Sequence, residues 1–132
     1  MIQTDNPRSL PGFKKKSFSM AYHGGEIWFE HLDGIYGYEE LVLEKLKNDS
    51  AVFCRPSCSS FICINLDETE LTDSIINSIC SVLLCADKKF RRVCFVGVDK
   101  SHSKKIKKQL DNNGFPIAFI DDFEKAKEWL IP

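Results

Sequence analysis

The chain has 132 residues, with 18 basic and 19 acidic side chains and a formal charge of −1. That length makes one domain with a sizeable core, and the near-balance of charge excludes a global electrostatic pull toward nucleic acid or anionic membrane. No run approaches the roughly 18–20 apolar residues that a membrane span needs.

Residues 1–16 carry Pro7, Pro11, Gly12 and Lys14-Lys15-Lys16 with little apolar pattern, and read as an N-terminal tail ahead of a single domain over 17–132. They contain no apolar core of a secretory signal, so the expected location is the cytoplasm. Residues 17–22 and 26–32 (EIWFEHL) read as strands, and His23-Gly24-Gly25 between them is a hairpin turn signal. Asp33-Gly34 breaks the pattern. Residues 38–47 (YEELVLEKLK) form an amphipathic helix with Leu41, Val42 and Leu46 on one side. Residues 48–57 read as a loop, with Ala51-Val52-Phe53 as a brief buried piece.

Residues 59–66 form a strand whose run FICI fits burial on both faces, as in a sheet centre. A helix follows from Leu71 to about Ala86, with Leu71, Ile75, Ile76, Ile79, Val82 and Leu83 at helical spacing, and Asp87-Lys88-Lys89 breaks it. Residues 92–98 (RVCFVGV) are a second buried strand. Residues 101–112 form a basic helix anchored by Ile106 and Leu110, and Asn113-Gly114 reads as its left-handed cap. Residues 115–120 (FPIAFI) form the last strand, placed at an edge by Pro116. Asp121-Asp122 cap a final helix over 123–131 that turns Ala126, Trp129 and Leu130 inward. The order ββαβαβαβα predicts an α/β fold: a mixed sheet of about five strands covered by about four helices, with parallel strands joined by right-handed crossovers.

Chemical motifs are sparse. His23, His31 and His102 are scattered, no G-x-S-x-G elbow is present, and the glycines form no dinucleotide fingerprint. Six cysteines occur. Cys63 and Cys94 lie in strand-like runs, and Cys80 and Cys85 in a helix-like run. All read as reduced core thiols, with no disulfide and no structural zinc. Cys54 and Cys58 form a C-x3-C pair, which matches neither a redox motif nor a zinc knuckle, and a metal there would need Cys63 or a histidine as a further ligand.

The junction after the central strand carries the strongest signal. A strand ending in Ile64-Asn65-Leu66 leads into a six-residue loop, Asp67 to Thr72, and Asp73-Ser74 open a helix. Helix starts present free backbone N–H groups that suit an oxyanion or a phosphate. Ser74, Thr72 or Asp73 also suits a plain helix cap. This arrangement resembles the STAS domain, the fold of the bacterial anti-sigma-factor antagonists, in which a strand ending Leu-Asp-Leu, a six-residue loop and Asp-Ser-Ser-Gly follow one another. Ile75 and Ile76 stand where that family has its second Ser and its Gly. The ending FIDDFEKAKEWL is also similar to that of antagonist-like proteins, and the resemblance spans about residues 17–131.

The resemblance implies a non-enzymatic regulatory domain with no cofactor and no metal. Its partner would be a protein, an anti-sigma-type kinase or another regulator, and Ser74 would be the candidate phosphoacceptor, in a domain with or without a working phospho-switch. The partner-binding face would hold Asp67, Glu68, Asp73, Ser74, Asn77 and Ser78. Two alternatives from other classes stay open. One is a carrier of a small apolar or lipid-like ligand in a groove between the aromatic-rich strands (Trp28, Phe29, Tyr36 and Tyr38 lie in this half) and the first helix. The other is a thiol- or metal-dependent enzyme using Cys54 and Cys58.

Overall fold

The computed structural model describes residues 9–85, 89–111 and 113–132. The first eight residues, the predicted helix end at Ala86 with its break at Asp87-Lys88, and Asn112 lie outside them.

A five-stranded sheet in the order β1-β2-β3-β4-β5 forms the frame. Its strands are β1 (Phe18–Tyr22), β2 (Gly25–His31), β3 (Phe61–Asn65), β4 (Arg92–Val96) and β5 (Ile117–Phe119). The β1–β2 hairpin is antiparallel, and β2, β3, β4 and β5 run parallel to one another. At the hairpin turn His23 and Gly24 have φ of 48° and 80°, the left-handed pair that a tight turn between twisted strands requires. Strand β3 lies in the centre. Strand β5 is an edge, as Pro116 requires, and the Pro116 carbonyl accepts from Val93 N.

Period-two alternation decides which helix covers which face. Trp28, Ile62, Ile64, Val93 and Phe95 point to one side. There they meet α2 (Glu39–Phe53), α3 (Asp73–Cys85) and α4 (Lys100–Leu110), the three crossover helices. Ile27, Phe29, Cys63, Cys94 and Val96 point to the other side, which is covered by α5 (Phe123–Leu130) through Ala126 and Leu130. Right-handed crossovers between sequentially ordered strands put all three connecting helices on one face. Helix α5 lies on the opposite face, where Ala126 and Leu130 pack on Ile27, Phe29 and Cys94.

Three expectations change in detail. Helix α2 runs to Phe53, so residues 48–53 are helical and not loop. Phe53 is fully buried and packs against Trp28 and Phe90, and Lys45 pairs with Asp49 one turn on, so core packing overrides the weak propensity of Asn48-Asp49-Ser50. Part of the N-terminal lead-in is ordered: Pro11–Lys14 form a helical turn, α1, and Gly12 packs so closely on the 33–34 backbone that an added Cβ would lie 2.6 Å from Asp33 O. Gly114 is left-handed, but α4 ends earlier, at Leu110, with Asp111 as its extended C-cap.

Between β2 and α2, where the sequence suggests an apolar groove, Trp28 packs on Phe53 with centroids 6.0 Å apart, and the run of rings continues to Phe90 and Phe115 at 6.3 and 6.4 Å. A polar group is enclosed beside it. Glu30 is fully buried; its Oε1 accepts from Trp28 Nε1, while Oε2 has no well-formed hydrogen bond among the described residues and the Asp49 carboxylate lies close by. Burial first, and then the neighbouring Asp49, push its carboxyl up to about 9, so Glu30 carries a proton at neutral pH. Lys45 Nζ is buried nearby and donates to His31 O (2.6 Å), Ser17 Oγ (3.0 Å) and Asp49 Oδ2 (3.1 Å).

Candidate functional site

Parallel strands deliver their loops to the carboxyl edge of the sheet, where open α/β folds carry their binding sites. Here the loops after β2 and β3 are stitched into one surface. Thr69 is buried; its Oγ1 donates to Leu32 O (2.6 Å) and accepts from Ile35 N (3.2 Å). Gly34 N donates to Asp67 O at 2.8 Å, and Asp67 N donates to Asn65 Oδ1 at 3.0 Å. Thr72 Oγ1 donates to Glu39 Oε1, which ties the start of α3 to the start of α2. Glu68 is exposed at φ 53°, a backbone conformation that costs a non-glycine residue about 1 kcal/mol and that the surrounding bonds hold in place.

The cap of α3 is Thr72. Its Oγ1 accepts from Ile75 N (3.2 Å), and its carbonyl accepts the first helical bond, from Ile76 N. Asp73 and Ser74 are therefore the first two residues of the helix, and both are exposed. Capping is thus done without the Ser74 hydroxyl. Ile75 and Ile76 are buried in the core, which is why branched apolar residues occupy these positions.

The predicted partner-binding residues do not form one open patch. Asp67 and Glu68 stand exposed on the loop. Asp73 and Asn77, one turn apart, are bound sideways by α4: Lys105 Nζ reaches Asp73 Oδ1 at 3.0 Å, and Gln109 Nε2 donates to Asn77 Oδ1 at 2.7 Å. Ser74 and Ser78 also lie one turn apart. Ser78 lines a groove of about 540 Å³ between α2 and α3, with Leu43, Leu46 and Lys47 opposite.

Two residues that sequence reasoning did not assign to this face join it. Tyr36 and Tyr38, on the loop before α2, are 66% and 40% exposed. Their aromatic density was legible in the sequence, but not their outward placement, which follows from Gly37 at φ 82° between them. The surface therefore combines two exposed rings with Glu40, Asp67, Glu68 and Glu70, all exposed.

The charges nearby are not uniform. The Asp67 carboxyl is pushed up by partial burial and then by Asp121, Asp33 and Glu68, so the carboxyl edge resists a further negative charge. Asp33 moves the other way. Burial opposes its charge, but hydrogen bonds from His31 Nδ1 (3.0 Å) and Lys15 Nζ (2.6 Å) hold its carboxyl down to about 2. Gly97 at φ 79° lets the β4 end pass close to Asp67, and its N–H donates to Asp121 Oδ1.

The thiols are structural in placement. Cys63 and Cys94 are register partners on β3 and β4, both buried under α5, and Cys80 is buried on the opposite face. Cys54 caps the end of α2, and Cys58 follows in the next turn with its N–H on Arg55 O; both are half-buried. No group of three or more His, Cys, Asp or Glu side chains among the described residues is placed to hold a metal ion. No described helix is long and apolar enough to cross a membrane. Comparison of the chain with protein families, with curated proteins and with solved structures finds no match.

Proposed function

We propose that the chain is a non-enzymatic regulatory domain of the STAS type that docks a protein partner on the loops after β2 and β3 and on the first turns of α3. The observation that carries the reading is the division of labour at that helix start: Thr72 caps, and Ser74 stands exposed beside it. A serine relieved of capping, at the second position of a helix, is open to a kinase, and its phosphate would lie near free N–H groups and the positive end of the helix dipole. The strained, exposed Glu68 and the two outward tyrosines support the same face. The acidic loop selects a basic partner surface, and Tyr36 and Tyr38 offer ring faces to its Lys or Arg side chains.

A phosphate brings about −1.5 to −2 charges to a loop that already holds Asp67, Glu68, Glu70 and Asp73. Repulsion between the phosphate and these carboxylates would rearrange the loop that the partner is matched to, and the phosphate's bulk would sit at the centre of the face; together these release the partner despite the added attraction to its basic side chains. The test is capture from native lysate on immobilised wild type, Ser74→Ala and Ser74→Asp, read by quantitative mass spectrometry. The expected result is a protein retained on the first two and lost on the third, with retention falling as salt rises. Retention of nothing above a blank column refutes the docking face. Equal retention on all three variants refutes the phosphate switch at Ser74 and leaves a constitutive binding module.

A further inference from the structure

The face under α5 carries a second feature, separate from the loops at the carboxyl edge of the sheet. A pocket of about 240 Å³ opens between the β1–β2 hairpin and the start of α5. Its walls are aromatic. Phe18 stacks on Phe29 (centroids 5.5 Å apart) and on His31 (5.8 Å), and Phe123 closes the other side, 6.1 Å from Phe29 and 6.2 Å from His31. Phe18 is 44% exposed even so, because its outer edge borders the opening.

Three polar side chains, His31, Glu124 and Lys127, border this aromatic surround. His31 lines the pocket, and its Nδ1 is held by Asp33 Oδ1 at 3.0 Å, with Lys15 keeping Asp33 ionised. A carboxylate on Nδ1 places a proton there, and in the neutral ring Nε2 then presents a lone pair. Among the described residues nothing bonds Nε2. The charged groups at the rim are spoken for: Lys127 Nζ is paired with Glu124 Oε2 at 2.5 Å and also lies over the Tyr22 ring at 5.3 Å. A ligand that brought its own charge would find no free counter-charge.

We propose that this pocket binds a neutral, single-ring aromatic molecule bearing one hydroxyl, with the ring between Phe18 and Phe123 and the hydroxyl donating to His31 Nε2. The size fits this class. The volume exceeds the roughly 150 Å³ apolar cavity that accepts benzene and falls short of the ~300–1,000 Å³ typical of drug-sized ligands. The ring walls offer stacked and edge-on contacts, and the imidazole acceptor provides orientation.

The probe is phenol, titrated into the full chain and followed by NMR through the Met20 methyl and the ring protons of Phe18, Phe29 and Phe123. The expected result is a saturable shift at these residues with a Kd on the order of 1 mM, in keeping with the modest binding energy that so few atoms supply. Toluene, which fills the same space without a donor, should bind about five-fold more weakly, and benzoate more weakly still. Met20→Trp fills the pocket from a half-buried position on the edge strand and should abolish the shifts at Phe123 while the backbone spectrum stays folded. The pocket assignment is overturned if phenol gives no saturable shift at roughly ten times that concentration, if the shifts fall elsewhere, or if Met20→Trp binds as before. Equal affinity for phenol and toluene overturns the role given to Nε2. None of these readings depends on the Ser74 face, so the two proposals fail separately.

Discussion

Replacing Glu30 with glutamine should make the protein more stable at neutral pH, although it alters a fully buried polar residue in the core. Burial and then Asp49 raise the Glu30 carboxyl from 4.5 to about 9. The folded chain therefore keeps a proton that the unfolded chain releases above pH 4.5. For a raised group, the contribution to stability is whole below the unfolded value and is lost as pH climbs through the folded one. At pH 7 the two states differ over about 2.5 pH units, and at about 1.4 kcal/mol per unit the loss is roughly 3 kcal/mol. Asp49 and Lys45 share in the titration, so about 2–3 kcal/mol is the working expectation. Glutamine is neutral in both states, keeps an acceptor for Trp28 Nε1, and puts an N–H donor where the carboxylic proton sits. Urea unfolding of wild type and Glu30→Gln at several pH values between 5 and 8.5 tests this. The two proteins should have nearly equal stability at the acid end, and the advantage of glutamine should grow steadily as pH rises. An advantage independent of pH, or a glutamine variant less stable throughout, would refute the reasoning.

Three further outcomes follow from the same geometry. Thr72→Ala removes the cap of α3 and should cost about 1 kcal/mol in chemical unfolding, whereas Ser74→Ala should stay within about 0.5 kcal/mol; the reverse order would place the cap at Ser74. Gly97→Ala meets both a φ of 79° and a Cβ position 2.6 Å from Asp67 N, so it should lower stability by about 2 kcal/mol and shift the amide resonances of residues 66–68. Asp33→Asn loses the ion pair to Lys15 and the charge that orients His31, and should cost about 2 kcal/mol near pH 6. Because the Asp33 carboxyl is held down to about 2, that cost should shrink as pH falls from about 4 toward 2, where wild type loses the same charge; calorimetry across that range checks the sign.

The order of elements was legible because it rests on local periodicity. FICI and VCFV have strand lengths and no polar interruption, and they became the bodies of β3 and β4, the central strand and its neighbour. Asp122, placed before a helical pattern, became its cap, accepting from Glu124 N and Lys125 N. Errors came where a distant contact outweighed a local preference. The Asn48-Asp49-Ser50 run reads as a loop until Phe53 is seen buried against Trp28. Lead-in residue Gly12 reads as tail until its fit on the 33–34 backbone is known. At the candidate site, sequence spacing found the helix start and Ser74, but Thr72 and Ser74 are equally good caps on paper. Only hydrogen-bond geometry separates them.

By itself, then, the sequence determined the class of fold, which faces of the strands are apolar, and that a polar helix start follows the central strand. These are properties of segments a few residues long, set by side-chain size, polarity and backbone preference. The tertiary structure alone decided which polar groups meet. It brought Lys15 to Asp33, enclosed Glu30 beside Asp49, drew Asp73 and Asn77 toward α4, and gathered Phe18, Phe29, His31 and Phe123 into one aromatic wall. Such pairings join residues more than ten positions apart, and a pattern of short period carries no record of them. They arise only when burial of the apolar faces sets strand register and helix position, and each polar side chain then takes the partner left within reach.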